Sequence, residues 1–534
     1  MFFIKLANYL FSAPMPFISL VIPFIASMLI FIQRIYRRLV VLEEGLIAKN
    51  ERGIINFLLF GIFLLNFFLT LMILSHVRTG GTSYYILSSS GWVRTLIGEN
   101  QRIHALIQVD TLGAFSAAVT AFISLGSILS TLIDKEKQLS PTKAGFFLLT
   151  LCGVQGVFYS DGLIAMAIFL FITQVGIIGL YKAIPSNSKE FIDSIWYYSS
   201  RFLLIIMFFI ASFFFYKVFK TDNVALLSSL ITGNRSELYA FIFLLVPTFF
   251  MFINHFPYVE DVTSRTFFRM MSQASFFIII RVVFLLYRPI PGLDKIPILF
   301  IFLGLIDIFL VIVVMGRSFN PTEFTQNMEQ YLKALMLIML SVAMEGVFSA
   351  DKLVRYGFIA MDGMLSTWIL YLPFSAILSI ISINLKKKYN NIELWQYGGL
   401  FNIIPIHTAA FFLSICVMAG LPPFVGFATK QFLYRAAFNY NPILMLFLFI
   451  SLLIMLIYSL RFFVHIFISR RILINNEKYK TPIAIKIYLS MLLLFFMFAT
   501  FYPGIFFNKY LSPSVDSLLA NKEVFRLLNR DGEE

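Results

Sequence analysis

The sequence predicts an all-α protein, a bundle of membrane-spanning helices of which some are discontinuous. Hydrophobic residues make up 59% of the 534 positions and charged residues only 13%, and the mean hydropathy is +0.85. An average soluble domain has roughly 25% charged residues. Apolar runs of roughly 17 or more residues recur from end to end, and each can cross ~30 Å of hydrocarbon. We therefore expect a polytopic membrane protein.

The apolar runs predict about 15 spans, if one crossing needs ~20 residues. A basic loop, 34–52, separates the first two spans. A polar stretch, 76–102, follows them and is expected to form an interfacial loop or a short surface helix. The amphipathic tail, 511–534, is expected on the surface or against a partner. In chain order the predicted spans are 16–32, 54–75, 107–132, 144–159, 163–181, 199–219, 238–255, 267–286, 296–315, 332–348, 355–383, 401–419, 426–438, 443–467 and 482–501.

The net charge of +14 is explained by topology rather than by a nucleic-acid partner. The basic residues are concentrated in short loops between apolar runs, as topology determinants are. Cys152 and Cys416 both lie within apolar runs and have no metal-ligand spacing. We expect no metal site, no disulfide and no binding of nucleic acid. The first residues, Met1 to Ser12, lack the apolar core of a cleavable signal peptide.

The most informative segment is a break between two apolar runs, Ala419-Gly-Leu-Pro-Pro-Phe-Val-Gly-Phe-Ala-Thr-Lys430. A helix cannot continue undisturbed through Pro422 and Pro423, because two amide donors are missing. The freed carbonyl groups need partners inside protein or in a wet cavity. Burial favours the neutral form of a lysine, so Lys430 could exchange a proton near neutral pH. The alternative is a lysine at a helix end that extends to the lipid headgroups.

Other charged residues lie in or beside apolar runs, and each has a structural alternative. Glu345 is either a proton carrier or an interfacial capping acid. Asp307 is deeper in its run and fits an ion pair as well as transport. Lys333 begins a predicted span and is either interfacial or functional. Arg281 follows three isoleucines and needs a buried partner or a water cavity. Asp110 opens a span, where a carboxylate suits the helix dipole.

The histidines are isolated from one another. His255 ends a span just before Pro257, so it has either a structural role at the helix end or a role in proton relay. His407 and His465 lie within apolar runs and are expected to be hydrogen-bonded residues of the bundle. Aromatic clusters such as 213–216 are expected to serve packing.

The segment Ala419–Lys430 resembles the broken-helix motif of the antiporter-like membrane subunits of respiratory complex I, most closely the subunit 2 family of NADH dehydrogenase. Pro405 and His407 before the break, and the Tyr-Ser-Leu-Arg step ending at Arg461, fit the same pattern. Weaker matches include Asp110 in Val-Asp-Thr-Leu-Gly-Ala-Phe, Arg281, the loop 254–261, and Lys333 with Ser341 in the segment 331–346. The strong resemblance covers about 60 residues.

Three positions depart from the family pattern. Gln174 stands where the family has a glutamate, Thr248 beside Pro247 where it has a lysine, and Gln273 where it has a second lysine. Glutamine and threonine can form hydrogen bonds but do not titrate near neutral pH. Of the family's central charges, Lys430 is the one that is clearly kept.

The resemblance implies a subunit of proton-pumping NADH:ubiquinone oxidoreductase in the mitochondrial inner membrane. Such a subunit would contribute a proton half-channel, which the three departures could have made degenerate. Lys430, Lys333, Glu345 and His255 would form its proton path, Lys430 foremost. The chain would bind no cofactor itself, and NADH, FMN, iron–sulfur clusters and ubiquinone would be held by other subunits. Its partners would be other complex I membrane subunits and phospholipids.

The implied organisation has three segments: N-terminal helices with an interfacial loop in 1–105, an antiporter-like core in 106–470, and a last helix with a surface tail in 471–534. Two other functions fit the same residues. One is a stand-alone cation/proton antiporter, which needs titratable residues along the membrane midplane. The other is a purely structural subunit of the same complex. The high phenylalanine content, 64 residues, is typical of T-rich coding sequences such as those of many mitochondrial genomes.

Overall fold

The structure is a computed structural model, and its described residues fall into two compact units. They are residues 15–40, 47–80, 83–85, 107–133, 140–182, 188–221, 224, 227, 235–253, 261–287, 295–318, 320, 321–348, 355–389, 398–469, 482–515 and 518. Unit 1 comprises Met1–Pro257, Phe267–Tyr287 and Asp516–Glu534, and unit 2 comprises Tyr258–Thr266 and Arg288–Val515. The division into 1–105, 106–470 and 471–534 stays a prediction.

Unit 1 is built from helices, with one short antiparallel pair of strands. The strands are β1 (Ser83–Tyr85) and β2 (Ile107–Val109), paired so that Tyr84 lies opposite Gln108. The helices are α1 (Met15–Val40), α2 (Ile47–Gly80), α3 (Thr111–Ile133), α4 (Pro141–Tyr159), α5 (Leu163–Lys182), α6 (Ser188–Phe219), α7 (Arg235–Ile253) and most of α8 (Val262–Arg281), which continues as a π-helical turn, Val282–Leu286.

A pair of buried side-chain amides joins α2 to α4 in unit 1. Asn66 Nδ2 donates to Gln155 Oε1 at 3.0 Å, and Gln155 Nε2 donates back to Asn66 Oδ1 at 2.7 Å. Asn66 also donates to the backbone carbonyl of Ser19 in α1 at 2.9 Å. Reciprocal bonds of this kind satisfy amides that lipid or a dry core would leave without partners. They fix the contact of three helices.

The helices are longer than their apolar cores at several ends. α1 continues to Val40 and α2 begins at Ile47, so most of the predicted loop 34–52 is helical. α2 also continues to Gly80, so the predicted polar stretch 76–102 begins as helix and then contains β1. The polar ends extend the helices because hydrogen bonds along the backbone do not require apolar side chains. Residues 86–106 lie outside the described part.

Unit 2 holds the remaining helices. They are α9 (Ile296–Arg317), α10 (Pro321–Phe348), α11 (Arg355–Tyr389), α12 (Pro405–Ala419), α13 (Val425–Tyr440), α14 (Pro442–Phe463), α15 (Ile483–Phe501) and the short α16 (Pro503–Phe506). A short 3₁₀ turn, Leu400–Asn402, precedes α12, and π-helical turns, Val464–Ile468 and Phe507–Leu511, follow α14 and α16.

In unit 2, α10 and α11 approach each other closely at two glycines. A Cβ atom placed on Gly346 would lie 2.5 Å from the Cα of Gly357, so neither position has room for a side chain. Small residues permit such backbone contact between membrane helices. On α9, Gly304 similarly admits Ile338 of α10. The core of unit 2 therefore contains α9, α10 and α11 side by side.

The all-α membrane class is confirmed. In the described residues, 11 helices are long and apolar enough to cross a membrane, and the shorter apolar helices Tyr239–Ile253 and Pro405–Ala419 come in addition. The prediction of about 15 spans counted all of these helices together with α4 and α13. Large apolar side chains face outward on α9, where Phe302 and Phe309 are 60% and 61% exposed. This exposure is that of a lipid-facing or partner-facing helix.

Candidate functional site

The break between α12 and α13 forms as the sequence predicts. α12 ends at Ala419, and Gly420 has the left-handed conformation with φ 68° and ψ 41°. The Leu421 N–H donates to the Cys416 carbonyl at 3.0 Å, and the Gly420 N–H to the Val417 carbonyl at 3.3 Å. This is a Schellman-type helix end, which glycine adopts without a steric penalty. Backbone carbonyls at the end of α12 are thereby satisfied.

The restart of the chain after Pro423 depends on a distant residue. Phe424 donates its N–H to Leu421 at 3.0 Å, and α13 begins at Val425. The first N–H of α13 donates to Thr500 Oγ1, on α15, at 3.1 Å. The first N–H groups of a helix have no partner within the helix, so a remote hydroxyl serves here as a cap. Sequence reasoning missed Thr500, because nothing near the break points to it.

Lys430 is buried against the end of α12. Its side chain is 4% exposed. A Cβ atom placed on Gly420 would lie 2.6 Å from Lys430 Cγ, so the aliphatic stem crosses the space that this glycine leaves open. Gly426 serves the same contact, because a Cβ there would overlap the Val417 carbonyl. The lysine stem therefore lies in the cleft that the break creates.

No acidic side chain of the described residues forms an ion pair with Lys430. A buried ammonium is costly without a partner or water, so such residues in membrane helices usually line polar interiors. The headgroup-directed alternative requires an exposed Nζ end, which a side chain 4% exposed does not favour. The role of Lys430 in proton transfer itself stays a prediction.

A second group of polar residues joins α9 to α10, and we call Asp307, Gln330 and Lys333 the Asp307 cluster. Gln330 Nε2 donates to Asp307 Oδ2 at 2.6 Å. Lys333 interacts electrostatically with the Asp307 carboxylate, and its Nζ lies 5.8 Å from the ring centroid of Tyr371 on α11. Lys333 is 5% exposed. A cation so placed is stabilised by the carboxylate and by the ring face.

The prediction that Lys333 begins its span is wrong. α10 starts at Pro321, so Lys333 lies well inside the helix, and the whole of Pro321–Phe348 is a candidate span. The apolar run begins only at Leu332, because the preceding turns of α10 carry polar residues such as Glu323 and Glu329. Glu329 is itself buried, so the polar start of α10 also lies inside the bundle. Lys333 is 5% exposed, so its side chain does not reach the surface of the described residues.

Glu345 lies at the other end of α10, near its last residue Phe348. It is half-buried and interacts electrostatically with Tyr356 at the start of α11 and Tyr440 at the end of α13. The rings of these two tyrosines are 6.2 Å apart. Three helix ends meet here, which favours the interfacial of the two predicted roles. A proton path through Glu345 stays a prediction.

His407 lies in the first turn of α12 and is 1% exposed. Its Nε2 is 2.8 Å from Asn384 Nδ2 on α11. This contact fits the predicted role of a hydrogen-bonded residue of the bundle. His465 is in the π-helical turn after α14. His255, the fourth predicted proton-path residue, lies outside the described residues.

Unit 1 contains an ion pair that the sequence did not pair. Asp110 accepts the Gly113 N–H at 2.8 Å, which caps α3, as its position before a span predicts. Its other oxygen, Oδ2, is 2.5 Å from Arg281 Nη2 at the end of α8. The Arg281 guanidinium is also 5.1 Å from the ring centroid of Phe277. Of the two predicted alternatives for Arg281, a buried partner or a water cavity, the structure shows a buried partner, Asp110.

The positions where unit 1 departs from the family pattern are buried and neutral. Gln174, Gln273 and Thr248 are each 0% exposed. Thr248 donates to carbonyls of its own helix, Leu244 and Leu245, at 3.1 and 2.9 Å. Neither side-chain amide atom of Gln174 has a hydrogen-bond partner among the described residues. These three side chains provide no charge to unit 1.

Arg201 is a buried cation of unit 1 that sequence reasoning missed. It is 0% exposed, and its Nη1 lies 3.5 Å from the sulfur of Met271 on α8. The predicted span 199–219 placed it at a membrane edge, but α6 already begins at Ser188. A helical pattern upstream of Ser199 was the available signal. Arginine stays protonated at all relevant pH values, so Arg201 is a fixed charge.

Comparisons with known proteins agree with the family suggested by the break. No protein-family model matches the chain. A 150-residue segment, 26% of this chain, is 28% identical to NADH-ubiquinone oxidoreductase chain 2 of Aedes aegypti and spans 44% of that protein. A 98-residue segment, 18% of this chain, is 30% identical to chain 2 of Anopheles albimanus and spans 58% of it.

The chain is similar to chain 2 of NADH-ubiquinone oxidoreductase. It is also 32% identical over 114 residues, 21% of its length, to NADH-quinone oxidoreductase subunit N of Phocaeicola vulgatus, of which it spans 24%. The matches to the two chain 2 proteins span about half of their length. The similarity to chain 2 is therefore direct but partial.

Solved structures show that the fold extends over nearly the whole chain. A chain of the Mrp complex from Dietzia sp. matches with a TM-score of 0.71 and 14% identity, covering 93% of this chain and 97% of that one. A chain of respiratory complex I from Thermus thermophilus matches with a TM-score of 0.68 and 15% identity, covering 94% and 98%. At such identities the likeness establishes the fold alone.

Proposed function

We propose that the chain is a membrane-arm subunit of a proton-pumping NADH:ubiquinone oxidoreductase, and that unit 2 contributes a proton half-channel centred on Lys430. The observation that carries the proposal is the buried lysine in the cleft of the broken helix. The similarity to chain 2 and to subunit N supports the membership in such a complex. The neutral side chains of Gln174, Thr248 and Gln273 in unit 1 support a half-channel in unit 2 rather than in unit 1.

The proposed subunit has no redox site of its own. NADH, FMN, iron–sulfur clusters and ubiquinone would be bound by other subunits, and the partners of this chain would be other membrane subunits and phospholipids. The proposed location is the mitochondrial inner membrane, in a multi-pass topology. The similarity to two insect chains named NADH-ubiquinone oxidoreductase supports this location. Such a chain is enzymatic only as part of the assembled complex.

The experiment that tests the proposal replaces Lys430 by methionine in the assembled complex. Methionine keeps the length of the stem but cannot carry a proton. Proton uptake into membrane vesicles is recorded together with NADH oxidation, which gives the number of protons pumped per two electrons. We expect a lower ratio with an unchanged yield of assembled complex.

The matched control is Lys509→Met, because Lys509 is an exposed lysine of the same unit. It should keep the wild-type ratio. An unchanged ratio in Lys430→Met, at wild-type assembly, would exclude the half-channel and leave the purely structural subunit as the function.

The stand-alone cation/proton antiporter is the second candidate, and the fold shared with a chain of the Mrp complex is compatible with it. An antiporter needs titratable groups along its path, and the neutral residues Gln174, Thr248 and Gln273 argue against it. Gentle detergent purification from native membranes separates the two functions. Co-migration with iron–sulfur subunits supports the complex, whereas a chain that migrates without redox subunits supports the antiporter.

A further inference from the structure

Asp307 places a carboxylate on a partly open side of α9, a span of unit 2. It lies midway along this helix, and its side chain is half-buried. An aspartate is too short to reach the headgroups from the middle of a span, because half of the hydrocarbon layer is ~15 Å deep. Acidic residues at this depth almost always face a protein interior or a wet cavity. The open side of Asp307 is therefore expected to be covered.

The chain itself satisfies part of this carboxylate. Gln330 Nε2, on α10, donates to Asp307 Oδ2 at 2.6 Å, and Lys333 interacts with the carboxylate electrostatically. The negative charge thus has a counter-charge within unit 2. A carboxylate can accept about four hydrogen bonds. The half-buried side chain therefore keeps acceptor positions for a group from outside this chain.

Asp307 belongs to a row of residues on α9 that has the spacing of a helix contact. The row is Leu303, Asp307, Leu310 and Val314, with intervals of four, three and four residues, and we call it the α9 stripe. Residues at these intervals lie along one side of a helix. Leu310 and Val314 are 53% and 45% exposed, and Leu303 is half-buried. Membrane helices commonly pack against each other through residues at such intervals.

We propose that the α9 stripe docks an apolar transmembrane helix of another subunit, and that a side chain of this helix donates a hydrogen bond to Asp307 in the middle of the membrane. The leucines and the valine supply the apolar contact, and Asp307 selects for the donor. The inference goes beyond the half-channel. It rests only on the part of the proposed function that places the chain in a multi-subunit membrane complex.

Two other occupants match the α9 stripe less well. Lipid tails suit its leucines and valine but donate no hydrogen bond. A second copy of this chain would bring Leu303, Leu310 and Val314, which are not donors, to the same surface. It would also bring a second carboxylate, and two like charges repel strongly in a medium of low dielectric constant. A helix of different sequence with a donor at the level of Asp307 meets both demands.

Photocrosslinking in the native membrane identifies the occupant. A photoreactive benzophenone amino acid replaces Leu310 in the assembled complex, and its adducts are mapped by mass spectrometry. We expect an adduct on an apolar segment of another subunit, with a hydroxyl, amide, indole or basic side chain within one helical turn of the linked residue. Adducts on lipid only, on a second copy of this chain, or on a segment without such a side chain overturn the proposal.

A matched pair of variants tests the stripe itself. Leu310→Trp adds bulk within it, whereas Phe309→Trp adds the same bulk on a residue that points ~160° away from Asp307, at ~100° per residue. Both side chains are exposed, so the fold of unit 2 has room for both changes. We expect Leu310→Trp to lower the retention of the crosslinked subunit in detergent by roughly threefold or more. Phe309→Trp should keep it, and equal retention in the two variants overturns the stripe as the contact.

The hydrogen bond is tested by two changes at Asp307. Asp307→Leu removes the acceptor and should lower the retention of the crosslinked subunit as Leu310→Trp does. Asp307→Asn keeps an acceptor oxygen and should retain more of that subunit than Asp307→Leu. Equal retention in wild type and Asp307→Leu contradicts the proposed bond. If Asp307→Leu fails to assemble, the tryptophan pair still decides whether the stripe is the contact.

Failure of this inference differs from failure of the proposed function. A wild-type chain that purifies without iron–sulfur subunits contradicts the proposed function. Adducts on lipid only, in a complex that keeps those subunits, contradict the docked helix alone.

Discussion

Individual residues decide how the broken helix of unit 2 is built. Two glycines and one lysine form the cleft: Gly420 adopts a left-handed conformation at the helix end, Gly426 admits the Val417 carbonyl, and the Lys430 stem fills the space over Gly420. The prolines interrupt the helix, but the glycines make the close approach possible. Burial of the lysine is therefore a consequence of the motif as a whole.

This packing predicts that Gly426→Ala is destabilising. The added methyl group would overlap a backbone carbonyl, which cannot rotate away as a side-chain end can. Overpacking of a well-filled core costs about 1–3 kcal/mol. A lower melting temperature of the purified assembly would show this effect.

Gly61→Ala is the matched control for that variant. Gly61 lies in the interior of α2, and a Cβ atom there meets nothing within 4 Å. Alanine is favoured over glycine in a helix by about 1 kcal/mol. The control should therefore melt at the wild-type temperature or above it. Equal melting temperatures for both variants would contradict the close contact at Gly426.

The contacts between residues distant in the sequence could not be predicted, whereas the local features of the break could. The chemical logic of the Pro-Pro break and of Lys430 is local, so the sequence predicted the break, its helix end and a buried lysine. Thr500 caps α13 from another helix, and Tyr331 meets Ser451 across the bundle. Such pairings depend on which helix faces lie together, and one sequence without its packing does not specify them.

At the scale of helices, an ionic contact joins two elements of unit 1. α3 and α8 in unit 1 are joined by the pair of Asp110 and Arg281, both nearly buried. The sequence predicted that Asp110 lies at a helix start, and that Arg281 has a buried partner or a water cavity, because each requirement is visible in the local pattern. It could not identify one as the partner of the other, since the two positions are far apart along the chain.

Breaking this pair should be strongly destabilising. Arg281→Met would leave the buried Asp110 carboxylate without its cation, which costs about 3–5 kcal/mol. Asp110→Asn keeps an oxygen for the Gly113 N–H and removes the charge. We expect the double variant, Asp110→Asn with Arg281→Met, to be more stable than Arg281→Met alone. Thermal unfolding of the purified assembly measures all three. A double variant no more stable than the single one would show that the charges do not interact.

The length of the helices was the least predictable property at this scale. Apolar runs located the membrane crossings but not the helix ends, because polar first turns such as those of α6 and α10 are helical as well. Arg201 and Lys333 were therefore assigned to edges although each is buried well inside its helix. Polar residues near the start of an apolar run can therefore lie in the interior of a longer helix.

For the whole molecule, the two units differ in the chemistry of their buried polar groups. Unit 2 contains the lysines Lys333 and Lys430 and the carboxylate of Asp307. Unit 1 contains the neutral groups Gln174, Thr248 and Gln273, a fixed arginine at Arg201 and the pair of Asp110 and Arg281. It also buries further charged residues, Asp161, Glu237 and Arg269. The all-α membrane fold was predictable from composition and run length alone. The division into two compact units was not, because no linker or change in composition marks it.

This difference predicts that the Gln174 amide of unit 1 is dispensable for pumping. Gln174 is buried, and its amide atoms have no hydrogen-bond partner among the described residues. Replacing a buried group of this kind by an apolar one of similar size is nearly neutral or stabilising. In the assembled complex, Gln174→Leu should keep both the wild-type melting temperature and the wild-type number of protons pumped per two electrons. Lys430→Met, measured alongside, should pump less. A fall in pumping for Gln174→Leu at unchanged stability would mean that the amide holds water in a path through unit 1, and proton transfer would then not be confined to unit 2.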